Sequence, residues 1–227
     1  VRQMLQSQDN AEVLTLLRQH TREELNKVLS FAQENFERTV TSFLHENLRG
    51  LRRVNGSVKF EKQLVKQMKR TGTLAMSRLD NNTVLDKGLY YFQGNDFAIE
   101  LVSSVGRLVE PCLEHIDNNF KPLDAIQKGE FGDVSEDITN LLQTSRQTVE
   151  ANDYNNLNDI VRKANDLNGQ LAHLKRQELQ RIQGQSGSIK VSMVYLTMIQ
   201  EAQNVVTYTT NLLKVSRKFQ AEDNSNN

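Results

Sequence analysis

Helix-breaking residues are scarce in this chain, and their scarcity constrains the fold more than any other feature. The 227 residues contain only two prolines, Pro111 and Pro122. Apolar residues recur at steps of three and four, as they do along one face of an α-helix. No segment alternates convincingly with period two, as a half-buried strand would. The sequence therefore predicts an all-α protein.

Turn signals divide the chain into amphipathic segments of helical length. A short leading helix is predicted over 9–20, before the capping-box sequence Thr21-x-x-Glu24. Gly50 and the Asn55-Gly56 pair predict a first break, and Gly94-Asn95-Asp96 predicts an early break in the third long helix. The long helices are predicted at 21–51, 57–79, 84–116, 134–151, 154–181 and 188–219. About six such helices predict an elongated antiparallel bundle.

Apolar stripes identify the side chains that we expect in the core. In the helix over 57–79 the predicted stripe is Phe60, Leu64, Met68, Ala75 and Leu79. Cys112 lies on the stripe of the next helix, together with Leu108. A buried structural thiol is the favoured interpretation of Cys112. A thiolate nucleophile paired with His115 is the alternative.

The length of the chain permits one elongated domain, 1–227, or two sub-bundles, 9–120 and 121–222, separated by the loop at 117–122. The polar tail 222–227 is expected to fray. The apolar runs fall well short of the ~20 residues that span a bilayer, so a soluble module is expected. The chain begins at Val1 rather than Met, which predicts a piece of a longer protein.

The motifs that signal catalysis or nucleotide binding are missing from the sequence. It contains neither Gly-x-Gly-x-x-Gly nor the Gly-x4-Gly-Lys-Ser/Thr loop, and its four histidines are scattered. The loop 184–188 is interpreted as a connector with Ser186 or Ser188 as N-cap, rather than as an anion site at a helix N-terminus. The 28 basic and 28 acidic residues balance, which argues against a nucleic-acid partner. The sequence thus predicts no enzyme and no cofactor.

One acidic helical face is the candidate metal site. Glu110, Glu114 and Asp117 fall at i, i+4 and i+7, with His115 adjacent. A metal site would need comparable ligands from neighbouring helices, for example Asp133 and Asp137. A solvated helix face is the favoured interpretation.

Charge is distributed unevenly along the chain. Eight basic residues fall between positions 49 and 70, opposed only by Glu61, whereas acids dominate 110–159. The basic residues are Arg49, Arg52, Arg53, Lys59, Lys62, Lys66, Lys69 and Arg70. Two interpretations stay open: a basic face that docks on anionic lipid headgroups or a partner, or a basic helix neutralised by packing against the acidic one.

A signature within the predicted third helix and its following loop is shared with a known family. The stretch Glu110-Pro-Cys-x-Glu-His-x-Asp-Asn-Asn-Phe-x-Pro-Leu123 resembles the C-terminal cytoplasmic domains of PiT-type inorganic phosphate transporters from Bacteroidetes. The closing segment 194–219 is similar to the end of those proteins, and the resemblance runs nearly end to end.

The resemblance implies a PhoU-like bundle that regulates or scaffolds phosphate uptake. A membrane part, absent from this chain, would carry out cation-coupled transport and would be the docking partner. The domain would lie at the cytoplasmic face of the bacterial inner membrane, as part of an integral membrane protein. PhoU proteins often bind metal clusters through Glu/Asp-x3-Asp motifs; here only Glu110-x3-Glu114 and Asp133-x3-Asp137 come near that form. A metal-binding PhoU-like regulator, a free helical adaptor and a homodimer stay open.

Overall fold

The computed structural model describes residues 4, 7, 9–184 and 187–221. In these residues six long α-helices follow one another and no strand occurs, so the all-α prediction is confirmed. The helices are α1 (Asn10–Leu44), α2 (Leu48–Met76), α3 (Asn81–Asp117), α4 (Ala125–Ala151), α5 (Leu157–Gln183) and α6 (Ile189–Gln220). In the described part of the chain, no helix combines the length and the apolar character needed to cross a bilayer. The predicted frayed tail 222–227 lies outside the described residues.

The first helix is continuous, so the predicted break before Thr21 is wrong. α1 begins after Asp9, whose side chain accepts a hydrogen bond of 2.9 Å from the backbone N–H of Ala11. Thr21 lies buried within the helix. Only the first four N–H groups of a helix lack an intrahelical partner, so a Thr in mid-helix has no free amide to cap.

The first turn comes earlier than predicted, at 45–47, where Glu46 has a φ of 54°. Asn47 then caps α2 by accepting a hydrogen bond of 3.0 Å from the backbone N–H of Gly50. A Cβ at Gly50 would lie 2.2 Å from Ser42 Oγ, so this glycine permits a close approach to α1 rather than breaking a helix. The predicted break at Asn55-Gly56 is also wrong, because both residues lie inside α2.

Two further helix boundaries differ from the prediction. Gly94-Asn95-Asp96 does not interrupt α3, where the buried Asn95 amide donates to the carbonyl of Tyr91 at 3.1 Å. α4 begins at Ala125 rather than near 134, because Asp124 and Gln127 form a reciprocal capping box. The loop predicted between the two helices is confirmed at 118–124.

Helices α1, α3, α4 and α6 form the centre of the bundle, in which α3 packs on α6 and α1 packs on α4. Within the described residues, α2 contacts only α1 and α3, and α5 contacts only α4 and α6, so these two helices lie on the outside. One hydrophobic cluster draws buried side chains from all six helices, for example Phe36, Leu101, Phe131 and Leu213. The 35 residues of α1 extend for about 50 Å, which makes the bundle elongated.

Candidate docking face

The predicted basic segment lies on α2, one of the two outer helices. Val54, Val58 and Val65 of this helix are buried against α1 and α3, which turns the opposite side of α2 to solvent. Six of the basic residues are exposed and two are partly buried. The exposed ones are Arg49, Arg52, Arg53, Lys59, Lys66 and Arg70; the partly buried ones are Lys62 and Lys69.

Two of these basic residues are paired with acids of α3. An Arg52 guanidinium nitrogen lies 2.9 Å from Asp117 Oδ1, and Lys69 Nζ lies 2.6 Å from Asp96 Oδ1. Among the residues that the structure describes, no ion pair involves the other six, which are Arg49, Arg53, Lys59, Lys62, Lys66 and Arg70. Internal neutralisation of the basic segment is therefore limited to two positions.

Acids of the segment 110–159 find other partners. Asp137 of α4 pairs with Lys163 of α5 at 3.1 Å, and Glu130 lies 3.9 Å from Arg181. α2 contacts neither α4 nor α5 in the described residues. Basic and acidic segments thus meet mainly at the end of α3, where Asp117 binds Arg52.

Large apolar side chains are exposed on the same outer helix. Phe60 is 63% exposed, Leu74 58% and Leu64 39%. The prediction that Phe60 and Leu64 belong to the core is therefore wrong. Successive helical residues are rotated by about 100°, so Phe60 lies about 200° around the helix from Val58, which is buried. Met68 and Ala75 of the same predicted stripe are buried, so the neighbours of α2 cover part of that stripe and leave Phe60 and Leu64 outside.

The one acid of the basic segment lies at its edge, towards α1. Glu61 lines a cleft of about 340 Å³ between α1 and α2, together with His20, Glu24 and Lys27. Burial, followed by repulsion from Glu24, raises the pKa of Glu61. Burial also lowers the pKa of His20. Glu24 is held by Lys27 at 2.7 Å.

The structure does not bring the predicted metal ligands together as a metal site. His115 is buried, with its Nε2 2.7 Å from the carbonyl oxygen of Lys121. Glu110 and Glu114 are exposed, and Asp117 is paired with Arg52. In the described ranges, no group of three or more His, Cys, Asp or Glu side chains is placed to hold a metal ion. His115 instead anchors the loop that follows α3.

Cys112 lies in the core with no exposed surface. Burial raises the pKa of its thiol far above the ordinary value, so the thiol stays protonated near neutral pH. This environment suits a structural thiol, because a cysteine nucleophile must be able to ionise. The loop residues 185 and 186, and with them the predicted N-cap at Ser186, lie outside the described residues. Ser188 occupies the N-cap position of α6 without a side-chain capping hydrogen bond.

One buried carboxylate is not singled out by any sequence pattern. Glu178 of α5 is 1% exposed and accepts hydrogen bonds from the Gln127 amide at 3.0 Å and from Ser192 Oγ at 2.5 Å. Arg181 donates to the same carboxylate at 3.2 Å. These four residues line a cleft of about 310 Å³ where α4, α5 and α6 meet. In the sequence Glu178 looks like any solvated helix acid, and only the capping pattern Asp124-x-x-Gln127 hinted at structure nearby.

Comparison with known proteins identifies the fold. No protein-family model matches the chain, and no curated protein matches it. Among solved structures, it is similar to the phosphate transport system regulatory protein PhoU from Streptococcus pneumoniae, with a TM-score of 0.62. The fold is PhoU-like. The match covers 89% of this chain and 94% of that chain at 11% sequence identity, so it shows the fold alone. The predicted PhoU-like bundle is thereby confirmed.

Proposed function

We propose that this chain is a regulatory domain that controls inorganic-phosphate uptake by a membrane transporter. The observation that carries the proposal is the PhoU-like fold over 89% of the chain, since the matched protein is a phosphate transport system regulatory protein. We further propose that the transporter is of the PiT type and that this domain belongs to its cytoplasmic part. The stretch 110–123, which resembles such transporters, supports this finer assignment.

In this role the domain acts by binding rather than by catalysis. A regulator shifts a transporter between states only if it contacts those states with different free energies. α2 offers the surface for such contacts, because it is an outer helix with exposed basic and apolar side chains. Its orientation is set by the core, since Val54, Val58 and Val65 are buried against α1 and α3.

The test is an in-frame deletion of residues 1–227 from the chromosomal gene, followed by measurement of radiolabelled phosphate uptake in cells grown at high and at low phosphate. We expect uptake to lose its dependence on phosphate supply. Quantifying the remaining transporter in membranes controls for altered expression. Unchanged uptake under both growth conditions would refute the proposal. The reading frame before Val1 tests the finer assignment, because a PiT-type transporter requires several apolar spans of ~20 residues there.

A further inference from the structure

We propose that the outer face of α2 docks directly on an anionic lipid bilayer. Phe60 enters the headgroup region, and the basic residues around it contact lipid phosphates. We define this outer face as Arg49, Arg53, Lys59, Phe60, Lys66, Arg70 and Leu74. The inference rests on the proposed function for its membrane setting, but it concerns a different partner, the lipid itself.

The geometry of α2 places the residues of the outer face along one side of the helix. Arg53, Phe60 and Leu74 are separated by multiples of seven residues, which is close to whole numbers of helical turns, so they lie along one line. That line extends for about 30 Å at a rise of about 1.5 Å per residue. Lys59, Lys66 and Arg70 follow along one flank. A helix with this arrangement lies parallel to a membrane surface, with its apolar side chains in the interface.

Two large apolar side chains of the outer face are exposed to solvent. Phe60 is 63% exposed and Leu74 is 58% exposed, although both are large apolar side chains. They stand among basic residues rather than side by side. Interfacial membrane helices combine apolar side chains with Lys and Arg in this way.

The outer face carries an excess of positive charge. Glu61 is the only acid in α2, and it faces the cleft with α1 rather than the outer face. In the described chain no ion pair involves the five basic residues of the outer face, which are Arg49, Arg53, Lys59, Lys66 and Arg70. Anionic lipid attracts such charges, each contributing roughly a fivefold gain in affinity.

The other outer helix, α5, supplies an internal comparison. Its five basic residues are accompanied by three acids, Asp159, Asp166 and Glu178. Leu179 is its only strongly exposed large apolar side chain in the described residues, at 45%. The combination of basic and apolar exposure on α2 therefore does not follow merely from being an outer helix.

A lipid surface fits this face better than a second copy of the chain does. Two copies that paired through the same face would bring two sets of basic residues together, and like charges repel. A bilayer with anionic headgroups supplies the opposite charge and, just beneath it, an apolar layer for Phe60.

The chain contains no tryptophan, so one introduced residue reports on its own surroundings. We would place Trp at position 60 (Phe60→Trp) and, as the matched control on α5, at position 179 (Leu179→Trp). Vesicles of phosphatidylcholine alone are compared with vesicles that also contain phosphatidylglycerol. We expect the emission of Phe60→Trp to shift to shorter wavelength only with the anionic vesicles, and Leu179→Trp to show no shift.

Charge reversal tests the basic residues separately. In vesicle co-sedimentation, Lys59→Glu with Arg70→Glu should lower affinity for the anionic vesicles at least about twenty-five-fold, from two charges at roughly fivefold each. Arg162→Glu with Arg176→Glu makes the same change in net charge on α5 and should stay within about threefold of the unaltered chain. Circular dichroism confirms that each variant is folded.

Several outcomes would overturn the inference. These are no binding to anionic vesicles, equal binding to neutral vesicles, an equal shift of both tryptophans, or equal losses from both pairs of reversals. A blue shift of Phe60→Trp without vesicles, together with a doubled mass in analytical ultracentrifugation, would assign the face to a second copy. The vesicle assays contain no transporter, so they test the docking separately from the regulation of uptake. Altered uptake after the deletion, without vesicle binding, would refute the docking alone. Vesicle binding with unchanged uptake would refute the regulation alone.

Discussion

Gly72 shows how a single residue sets the spacing between two helices. It lies inside α2, and a Cβ built there would be 1.5 Å from the Tyr91 hydroxyl oxygen of α3. Tyr91 is 3% exposed and packs its ring against Phe219 of α6. Only a residue without a side chain leaves room for this tyrosine.

Replacing Gly72 with alanine should therefore destabilise the protein. We expect Gly72→Ala to lower the free energy of unfolding by about 1–3 kcal/mol, because an added methyl group in a packed core forces its neighbours to move. The matched control is Gly169→Ala in α5, where an added Cβ meets nothing within 4 Å. Alanine forms helices better than glycine, so this control should raise the free energy by about 0.5–1 kcal/mol. Urea denaturation followed by circular dichroism measures both, and a stabilised Gly72→Ala would contradict the packing.

At the scale of the elements, the buried carboxylate of Glu178 joins three helices. It accepts hydrogen bonds from Gln127 of α4, from Ser192 of α6 and from Arg181 of its own helix, α5. A buried carboxylate is tolerated when its oxygens are satisfied by such donors. The network therefore fixes how the ends of α4, α5 and α6 meet.

Glu178→Leu should remove this connection and leave the buried Gln127 amide and Ser192 hydroxyl without the carboxylate that accepts from them. We expect the free energy of unfolding to fall by about 2–3 kcal/mol. Removing one partner of a fully buried ion pair would cost more, but the Arg181 side chain keeps 26% exposure. Glu136→Leu, at an exposed position of α4, should change it by less than about 0.5 kcal/mol. Glu178→Gln, which keeps one oxygen acceptor, should fall between the two in urea denaturation. Equal effects of the two leucine variants would show that the network contributes little.

At the scale of the whole molecule, the two sequence-predicted sub-bundles share one core. α3 packs against α6 and α1 against α4, so each half supplies part of the other's interface. The main hydrophobic cluster includes Phe36 and Leu101 from the first half and Phe131 and Leu213 from the second. Separating the halves would expose these side chains to water.

The chain should accordingly unfold in one cooperative transition. Exposing the shared interface costs free energy, so neither half is expected to remain folded once the other has melted. The measurement is calorimetry, in which the calorimetric and van't Hoff enthalpies should agree, combined with urea curves from two spectroscopic probes. Two separate transitions would instead favour independent sub-bundles at 9–120 and 121–222.

The sequence by itself determined the helices and their assembly into a bundle, because both depend on local patterns. Apolar periodicity and the lack of helix breakers act within a few turns of each residue. Some of the errors in helix boundaries came where glycine or asparagine suggested a break, as at Asn55-Gly56 and Gly94-Asn95. A glycine in a helix costs about 1 kcal/mol, which burial of neighbours such as Val54 and Val58 readily offsets.

Only the tertiary structure decided which side of α2 faces outward. The sequence placed Phe60 and Leu64 in the core, whereas α1 and α3 cover Val54, Val58 and Val65 instead. A helix with apolar residues on more than one side can turn different residues towards its neighbours. Which of them become buried depends on the shape of the neighbouring helices, which local periodicity does not contain. The local sequence around Glu178 likewise does not show that this residue is buried, because its partners Gln127 and Ser192 come from other helices.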